Sequence, residues 1–304
     1  MATALSHYLD MVNESLRLDP SAKGEVIREL ESHIEDRLDE LKKDGLSEEE
    51  AADTCIKLLG SAKQVARQIY EAYSQGTWKQ TLLASMPHLL FALLFVLNWW
   101  HGVGWLLIML LLIVSVAIYG WVHDKPTWLF SWLGYSLLPV VVSGLLLLCL
   151  PKGWSWLTVF LYIPLALWLL YAITVQTIKK DWLYSTLMLL PVPTIIAWIL
   201  VVEPEGRFPF YSVQRIYEFA PWIGLSFSAL AVAVATFIRL RQRWLKQASL
   251  FISGVLTLTM VAYYAEGRLS LTAFLILVLI VLALFLTPAL LERRIKHGKQ
   301  RLAA

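Results

Sequence analysis

The chain has 304 residues, of which 58% are hydrophobic and 16% are charged. This composition is typical of a membrane protein. The sequence contains no phosphate-binding loop, nucleophile elbow, dinucleotide-binding fingerprint or haem-attachment motif, which argues against the common soluble enzyme chemistries.

Charge is distributed unevenly along the chain. Residues 1–78 carry 16 acidic and 9 basic side chains, whereas residues 79–304 carry 7 acidic and 17 basic ones. An acidic soluble region therefore precedes a basic hydrophobic region. The chain opens without the basic segment and unbroken apolar core of a signal peptide, so we expect the acidic region to stay in the cytoplasm. Its negative charge also disfavours nucleic acid as a partner.

Four helices are predicted in the acidic region, residues 1–76. Pro20 is placed in the first turn of the second helix. Two glycines are placed to end helices, and each is followed at once by a capping-box pair: Gly45 by Ser47 and Glu50, and Gly60 by Ser61 and Gln64. Such paired stop and start signals indicate a small helical bundle.

One strip of the second helix carries a histidine among carboxylates at helical spacing: Glu29, His33, Asp36 and Glu40. A zinc site would need three or four converging ligands, usually with a second His or Cys. No such residue is near in the sequence, so we predict no metal, cofactor or catalytic residue. We interpret the strip as an interaction face in which His33 hydrogen-bonds to Glu29 or Asp36. A pH-dependent contact through His33 is the remaining alternative.

The same region resembles a known family through the segments EVIRELESHIEDRLDEL and DGLSEEEAADTCIKLLGSAKQVARQI. The matching positions are Glu29, Leu30, His33, Ile34, Asp36, Gly45, Leu46, Glu50, Ala51, Leu59, Gly60 and Ala66. Residues 5–75 thus resemble the HAAS domain, also called the permease prefix domain. That family stands in front of bacterial membrane proteins, including macrolide-export-type ABC permeases, and occurs in proteins encoded beside PadR-type regulators.

The resemblance implies a regulatory or coupling module rather than an enzyme. It also implies a bacterial inner-membrane protein and a protein partner of the ABC-transporter or PadR type. It does not extend to the other three quarters of the chain, which leave no room for the large extracytoplasmic domain of an ABC permease.

Eight hydrophobic runs follow, each long enough to cross a hydrocarbon core of about 30 Å. They are residues 82–100, 104–122, 128–150, 156–178, 182–202, 220–238, 248–265 and 269–290. With the N-terminus inside, the inner loops and tail hold 12 Lys and Arg and the outer loops hold 4, which predicts that both termini are cytoplasmic. The predicted fold is all-α: a cytoplasmic four-helix domain (1–76), an eight-helix transmembrane bundle (77–291) and a basic cytoplasmic tail (292–304).

Tryptophans mark the predicted inner starts of the first, third, fifth and seventh runs: Trp78, Trp128, Trp182 and Trp244. Four repeated helical hairpins would produce this pattern. An aromatic belt at the membrane interface would produce it as well. The longest outer loop, residues 203–219, is interpreted as an interfacial helix, with a partner contact or a ligand-contact surface as alternatives.

Few polar residues interrupt the runs. His88, beside Pro87, is the clearest candidate for an intramembrane polar site, because ionisable groups within a membrane are costly and mark function. A basic inner surface is predicted from the charged loop and tail residues: Arg239, Arg241, Arg243, Lys246, Arg293 and Arg294.

The leading hypothesis is a non-enzymatic membrane regulator or accessory subunit. Its acidic module would dock on the basic inner surface, and a protein partner or anionic membrane lipid would compete for that surface. A homo-oligomer is compatible with the sequence. The alternative is a transporter or a lipid or small-molecule permease with a regulatory prefix. An intramembrane enzyme would need His101 with Glu266, or His123 with Asp124 and Asp181.

Overall fold

The computed structural model describes most of the chain: residues 2–16, 18, 20–123, 126, 128–132, 160, 163–202, 213–265 and 267–303. The regular structure of these residues is helical, without a strand, which confirms the predicted all-α class. By its internal contacts the chain divides into two compact units. The N-terminal unit is Met1–Gln75 with Arg241–Arg243, and the membrane unit is Gly76–Leu240 with Trp244–Ala304.

The N-terminal unit contains the four predicted helices. They are α1 (Ala2–Ser15), α2 (Pro20–Lys43), α3 (Glu48–Leu59) and α4 (Ala62–Tyr73). One cluster of its core joins α1 and α4 around Val12, and the other joins α2 and α3 around Ile34 and Cys55. Burial raises the pKa of the Cys55 thiol, as expected of a packing residue rather than a reactive one.

The first predicted stop and start signals, at Gly45 and Ser47, act as expected. Gly45 has a φ of 95°, its amide donates to the Lys42 carbonyl, and the Leu46 amide donates to Leu41, which is the pattern of a Schellman stop. Ser47 and Glu50 then form the reciprocal capping box at the start of α3. The Ser61 hydroxyl accepts from the amide of Gln64 at 3.4 Å, which caps α4. The return bond from the Ser61 amide to the Gln64 side chain is not formed among the described residues, so the second predicted capping box is only half complete.

The rest of the described chain forms long apolar helices and short connections. These are α5 (Trp78–Val96), a 3₁₀ turn (Trp99–His101), α6 (Val103–Val122), α7 (Leu129–Trp132), α8 (Ile163–Lys180), α9 (Trp182–Leu189), α10 (Pro191–Val202), α11 (Val213–Arg239), α12 (Arg243–Tyr264) and α13 (Leu271–Ala303). Helices α9 and α10 follow each other and together form one span-length segment.

Six segments of the described residues are long and apolar enough to cross a membrane, as expected of a multi-pass membrane protein. They are Trp78–Val96, Val103–Val122, Trp182–Val202, Gln214–Arg239, Arg243–Tyr264 and Leu271–Leu291. Of the other two predicted runs, 128–150 lies largely outside the described residues. Run 156–178 is described from residue 163 onward as part of α8, which is not among the six segments, so the number eight stays a prediction.

Two segments differ from the sequence interpretation. Helix α13 continues without a break through most of the predicted tail, 292–304. Residues 213–219 of the predicted outer loop form the first turns of α11 rather than a separate interfacial helix, and residues 203–212 lie outside the described part.

Helices α5 and α11 form the most extensive pair of the membrane unit. Phe91 and Phe95 of α5 lie against Phe227 of α11, with ring centroids 5.0 and 6.5 Å apart. Gly224 of α11 permits this approach: a Cβ there would lie 2.4 Å from Val96 Cγ2 and 3.0 Å from the Ala92 carbonyl oxygen.

Gly224→Ala is expected to destabilise the membrane unit by about 1–3 kcal/mol, because the added methyl overpacks a backbone contact that cannot yield. The measurement is the thermal unfolding midpoint in detergent. Gly104→Ala is the matched control, since a Cβ there meets no atom within 4 Å. A midpoint for Gly224→Ala equal to that of the control would contradict the prediction.

Ser47→Ala is expected to destabilise α3 by about 1 kcal/mol, so that its first amides exchange with solvent about fivefold faster. Hydrogen exchange of the full chain measures this, and Ser32→Ala, at an exposed mid-helix site of α2, should not reproduce it.

The same cap should be sensitive to acid. Hydrogen bonds from the Ser47 side chain and backbone lower the pKa of the Glu50 carboxyl. The stabilisation is therefore complete above the ordinary carboxyl pKa and is lost as the pH falls through the lowered value. Ser47→Ala should flatten this acid dependence of α3 exchange, and an unchanged profile would count against the capping box.

Candidate functional site

We call residues 74–78, which lead into α5, the connector. Residues 76–78 belong to the membrane unit and are described there with the end of α11, whereas residues 74 and 75 belong to the N-terminal unit and are described there with Arg241–Arg243. Thr77 begins α5 with a reciprocal capping box: its hydroxyl accepts from the Gln80 amide at 3.2 Å, and its amide donates to Gln80 Oε1 at 2.9 Å. The start of α5 is therefore determined by its own residues.

Within the membrane unit, Gly76 of the connector is hydrogen-bonded to the end of α11. The Gly76 amide donates to the Ile238 carbonyl at 2.9 Å, and Arg239 Nη1 donates to the Gly76 carbonyl at 2.9 Å. The Arg239 guanidinium also lies 4.4 Å from the centre of the Trp78 ring, a cation–π distance. Both polar groups of the Gly76 backbone are thus paired with the end of α11.

These hydrogen bonds require glycine at position 76. A Cβ at this position would lie 2.4 Å from Ile238 Cγ2 and 3.1 Å from Gln80 Oε1. Any other residue would push the connector away from Ile238, and both hydrogen bonds of Gly76 would lengthen.

Within the N-terminal unit the loop residues contact the end of α4. The Ser74 hydroxyl donates to the Arg241 carbonyl at 2.8 Å, and Arg241 Nε donates to Gln75 Oε1 at 2.7 Å. The Arg243 guanidinium lies 5.7 Å from the centre of the Tyr70 ring. Three residues that follow α11 in the chain therefore belong, by their contacts, to the unit formed by α1–α4.

The predicted strip of α2 is exposed. All four of its side chains face solvent, and Glu40 pairs with Arg37 one turn earlier. His33 has no hydrogen bond to Glu29 or Asp36 among the described residues. The strip is therefore an open surface of the helix rather than a packed boundary.

His88 is buried within α5. It lies ten residues after the start of the helix at Trp78, because α5 begins four residues before the predicted run at 82. Its side chain is 3% exposed, and its Nδ1 has no hydrogen-bond partner in the described part of the chain. Within the same part of the chain, no group of three or more His, Cys, Asp or Glu is arranged to hold a metal ion.

The tryptophans of the predicted repeat lie at or beside helix starts but differ in environment. Trp78 and Trp244 are exposed, as belt residues would be, whereas Trp128 is buried and Trp182 packs partly against the core. These positions favour neither alternative alone.

Residues 7–68 match the model of the HAAS family. The N-terminal unit carries a HAAS domain. No curated protein and no solved structure matches the chain. The match ends before the connector, so the family does not account for the fastening of residues 74–78.

The residues of the predicted basic surface lie in different environments. Arg241 and Arg243 contact Gln75 and Tyr70 within the N-terminal unit, and Arg239 contacts Gly76 within the membrane unit. Lys246 differs from the expectation of a surface residue: its side chain is 1% exposed and its Nζ lies 5.0 Å from the centre of the Phe237 ring. The side chains of Arg293 and Arg294 lie outside the described part, although α13 includes both residues.

Sequence analysis did not find the connector. Its partners lie more than 160 positions away in the chain, and no periodic pattern relates them. One local signal was available: Thr77 and Gln80 have the spacing of a capping box, directly after Gly76.

Gly76→Ala is expected to release the connector, because the new methyl cannot fit beside Ile238. A loss of about 1 kcal/mol of local stability would raise tryptic cleavage after the exposed Lys79 about fivefold. Gly24→Ala in α2 is the control, since its Cβ would meet nothing within 4 Å. Equal cleavage of the two variants would show that the connector is not held by this contact.

Proposed function

We propose that this chain is a non-enzymatic regulator or accessory subunit of the bacterial inner membrane, with both termini in the cytoplasm. In this proposal the HAAS domain binds a protein partner and transmits that event to the membrane helices. The observation that carries the proposal is the assignment of Arg241–Arg243 to the N-terminal unit, although Leu240 before them and Trp244 after them belong to the membrane unit.

The loop between α11 and α12 is suited to transmit a displacement because it is short. Arg239 ends α11 and Arg243 begins α12, so only three residues separate the two helices. A displacement of Arg241 by the HAAS domain must therefore be taken up by the adjoining helix ends. The hydrogen bond of Arg241 to Gln75 lies within the N-terminal unit, and that of Gly76 to Ile238 lies within the membrane unit.

The partner surface is proposed to include the exposed strip of α2. Glu29, His33 and Asp36 are available to a partner, whereas Glu40 is already paired with Arg37. An acidic helix face suits a basic protein surface, which it attracts and orients. The resemblance of residues 5–75 makes an ABC-type transporter or a PadR-type regulator the first candidates.

Coupling can be tested by disturbing the HAAS core and observing the membrane helices. Val12 is fully buried in α1, so Val12→Asp places a charge in the core and unfolds the domain. Hydrogen exchange of the full chain in lipid nanodiscs should then rise within residues 225–238 and 244–258. Met11→Asp, a charge at an exposed position of the same helix, should leave that exchange unchanged.

Unaltered exchange of both segments in Val12→Asp would overturn the coupling. Arg241→Ala provides a second check, because it removes the side-chain contact to Gln75 without unfolding either unit. The response to Val12→Asp should be weaker in this background.

A permease with a regulatory prefix is the second candidate, favoured by one observation, the burial of His88 within a span. The two functions differ in what removal of residues 1–76 does. A permease retains transport by its membrane unit without this prefix, whereas a regulator loses its partner and its effect. Purification of both forms in mild detergent, with identification of bound proteins, makes the comparison.

A further inference from the structure

Buried polar side chains in the described part of the membrane unit are concentrated toward one end. We call this the connector end, where α5, α9 and α12 begin and α11 finishes. The set is Thr81, Ser85, His88, Ser131, Thr177, Asp181, Ser185, Thr186, Thr194, Ser226, Lys246 and Thr257. Most lie within the first ten residues from that end, and Thr194, Ser226 and Thr257 lie near the middle of their spans.

Several of these hydroxyls are satisfied by their own helix. Thr81, Ser85 and Thr186 each donate to the carbonyl four residues earlier, at 2.9 to 3.3 Å. Ser226 donates to the Trp222 carbonyl and accepts from the indole nitrogen of Trp198. Such groups cost little free energy in a membrane helix, because their hydrogen bonds remain inside the protein.

Four others lack any hydrogen-bond partner among the described residues, although they are fully buried. They are His88 Nδ1, Ser131 Oγ, Ser185 Oγ and Thr194 Oγ1. Each unsatisfied buried polar group costs about 1–3 kcal/mol. A buried polar group in a native structure is expected to have a partner, either in the protein or in ordered water.

Contacts of α7 bring the helices of these residues together. The indole nitrogen of Trp132 donates to the Leu83 carbonyl of α5 at 2.8 Å, and the Phe130 ring lies 5.3 Å from the Tyr184 ring of α9. Ser131 lies between these two anchors, and Ser185 follows Tyr184. Helix α7 therefore packs against both the helix that carries His88 and the helix that carries Ser185.

The four groups lie at different depths along their helices. Ser131 and Ser185 lie within the first turn of their helices, whereas His88 lies ten residues into α5, about 15 Å from its start. Thr194 lies at a similar depth along the α9–α10 span. The unsatisfied groups thus extend from the connector end to about the middle of the hydrocarbon thickness.

We propose that these residues form a hydrated site that binds ordered water molecules from the connector end to the middle of the membrane unit, at His88. Water is the ligand whose chemistry fits. It both donates and accepts, makes two to four hydrogen bonds, and can satisfy hydroxyl and imidazole groups that do not reach one another. The site does not depend on the proposed regulatory function.

Hydroxyl-radical footprinting tests the site, because water bound inside a protein generates radicals locally and labels buried neighbours. Met188 lies one helical turn after Ser185 and is fully buried, whereas Met109, on α6 nearer the opposite end, is 8% exposed. The full chain is labelled in nanodiscs, and peroxide is removed so that it does not oxidise methionine itself. Met188 should then be oxidised at least about threefold faster than Met109, although Met188 is the less exposed of the two.

Two neighbouring substitutions make the test specific. Ser185→Ala removes a hydroxyl proposed to hold water, and Met188 oxidation should fall to the level of Met109. Thr186→Val is the matched control: its hydroxyl is equally buried but bonds to the Trp182 carbonyl, so Met188 oxidation should persist. Size-exclusion chromatography verifies that both variants remain folded.

Two results would overturn the proposal. One is Met188 oxidation no faster than that of Met109 in the unsubstituted chain, a comparison that requires no variant to fold. The other is unchanged Met188 oxidation in folded Ser185→Ala.

Discussion

Every polar group that enters a hydrocarbon layer must find its partner within the protein, and this constraint underlies most of the membrane unit. It explains why the described spans are helices, since a helix satisfies its own backbone. It explains why Thr81, Ser85 and Thr186 turn their hydroxyls back to carbonyls one turn earlier. It also makes a group such as His88 Nδ1 informative, because this buried atom has no hydrogen-bond partner among the described residues and the same constraint predicts one.

The connector obeys a related constraint at the end of the spans. Where the chain leaves the helices, its backbone groups need partners from elsewhere, and Gly76 obtains both from Ile238 and Arg239. The absence of a side chain at Gly76 is what allows two backbones to meet. Gly224 serves the same purpose between α11 and α5, so two glycines position α11 at different points along its length.

Features determined by neighbouring residues were predictable from the sequence. The stop at Gly45 and the capping box of Ser47 with Glu50 depend on residues within one helical turn, and both occur as expected. Features determined by distant residues were not. The buried Lys246 contacts the ring of Phe237 on the preceding helix, and the pairing of Ser74 with Arg241 joins positions 167 residues apart. Hydrophobic periodicity cannot predict these contacts. It indicates which face of a helix is buried, but not which distant residues pack against that face.

Arg241–Arg243 belong to the N-terminal unit, and this affects how chimeras of such proteins must be designed. A prefix domain is ordinarily regarded as a cassette that ends where its last helix ends. Here the compact unit is discontinuous, since part of it is encoded far downstream in a loop of the membrane region. A chimera that exchanged only residues 1–75 would separate Gln75 from Arg241 and Ser74 from the carbonyl that it binds. Exchange of the domain between proteins therefore requires two segments of the gene to be moved together.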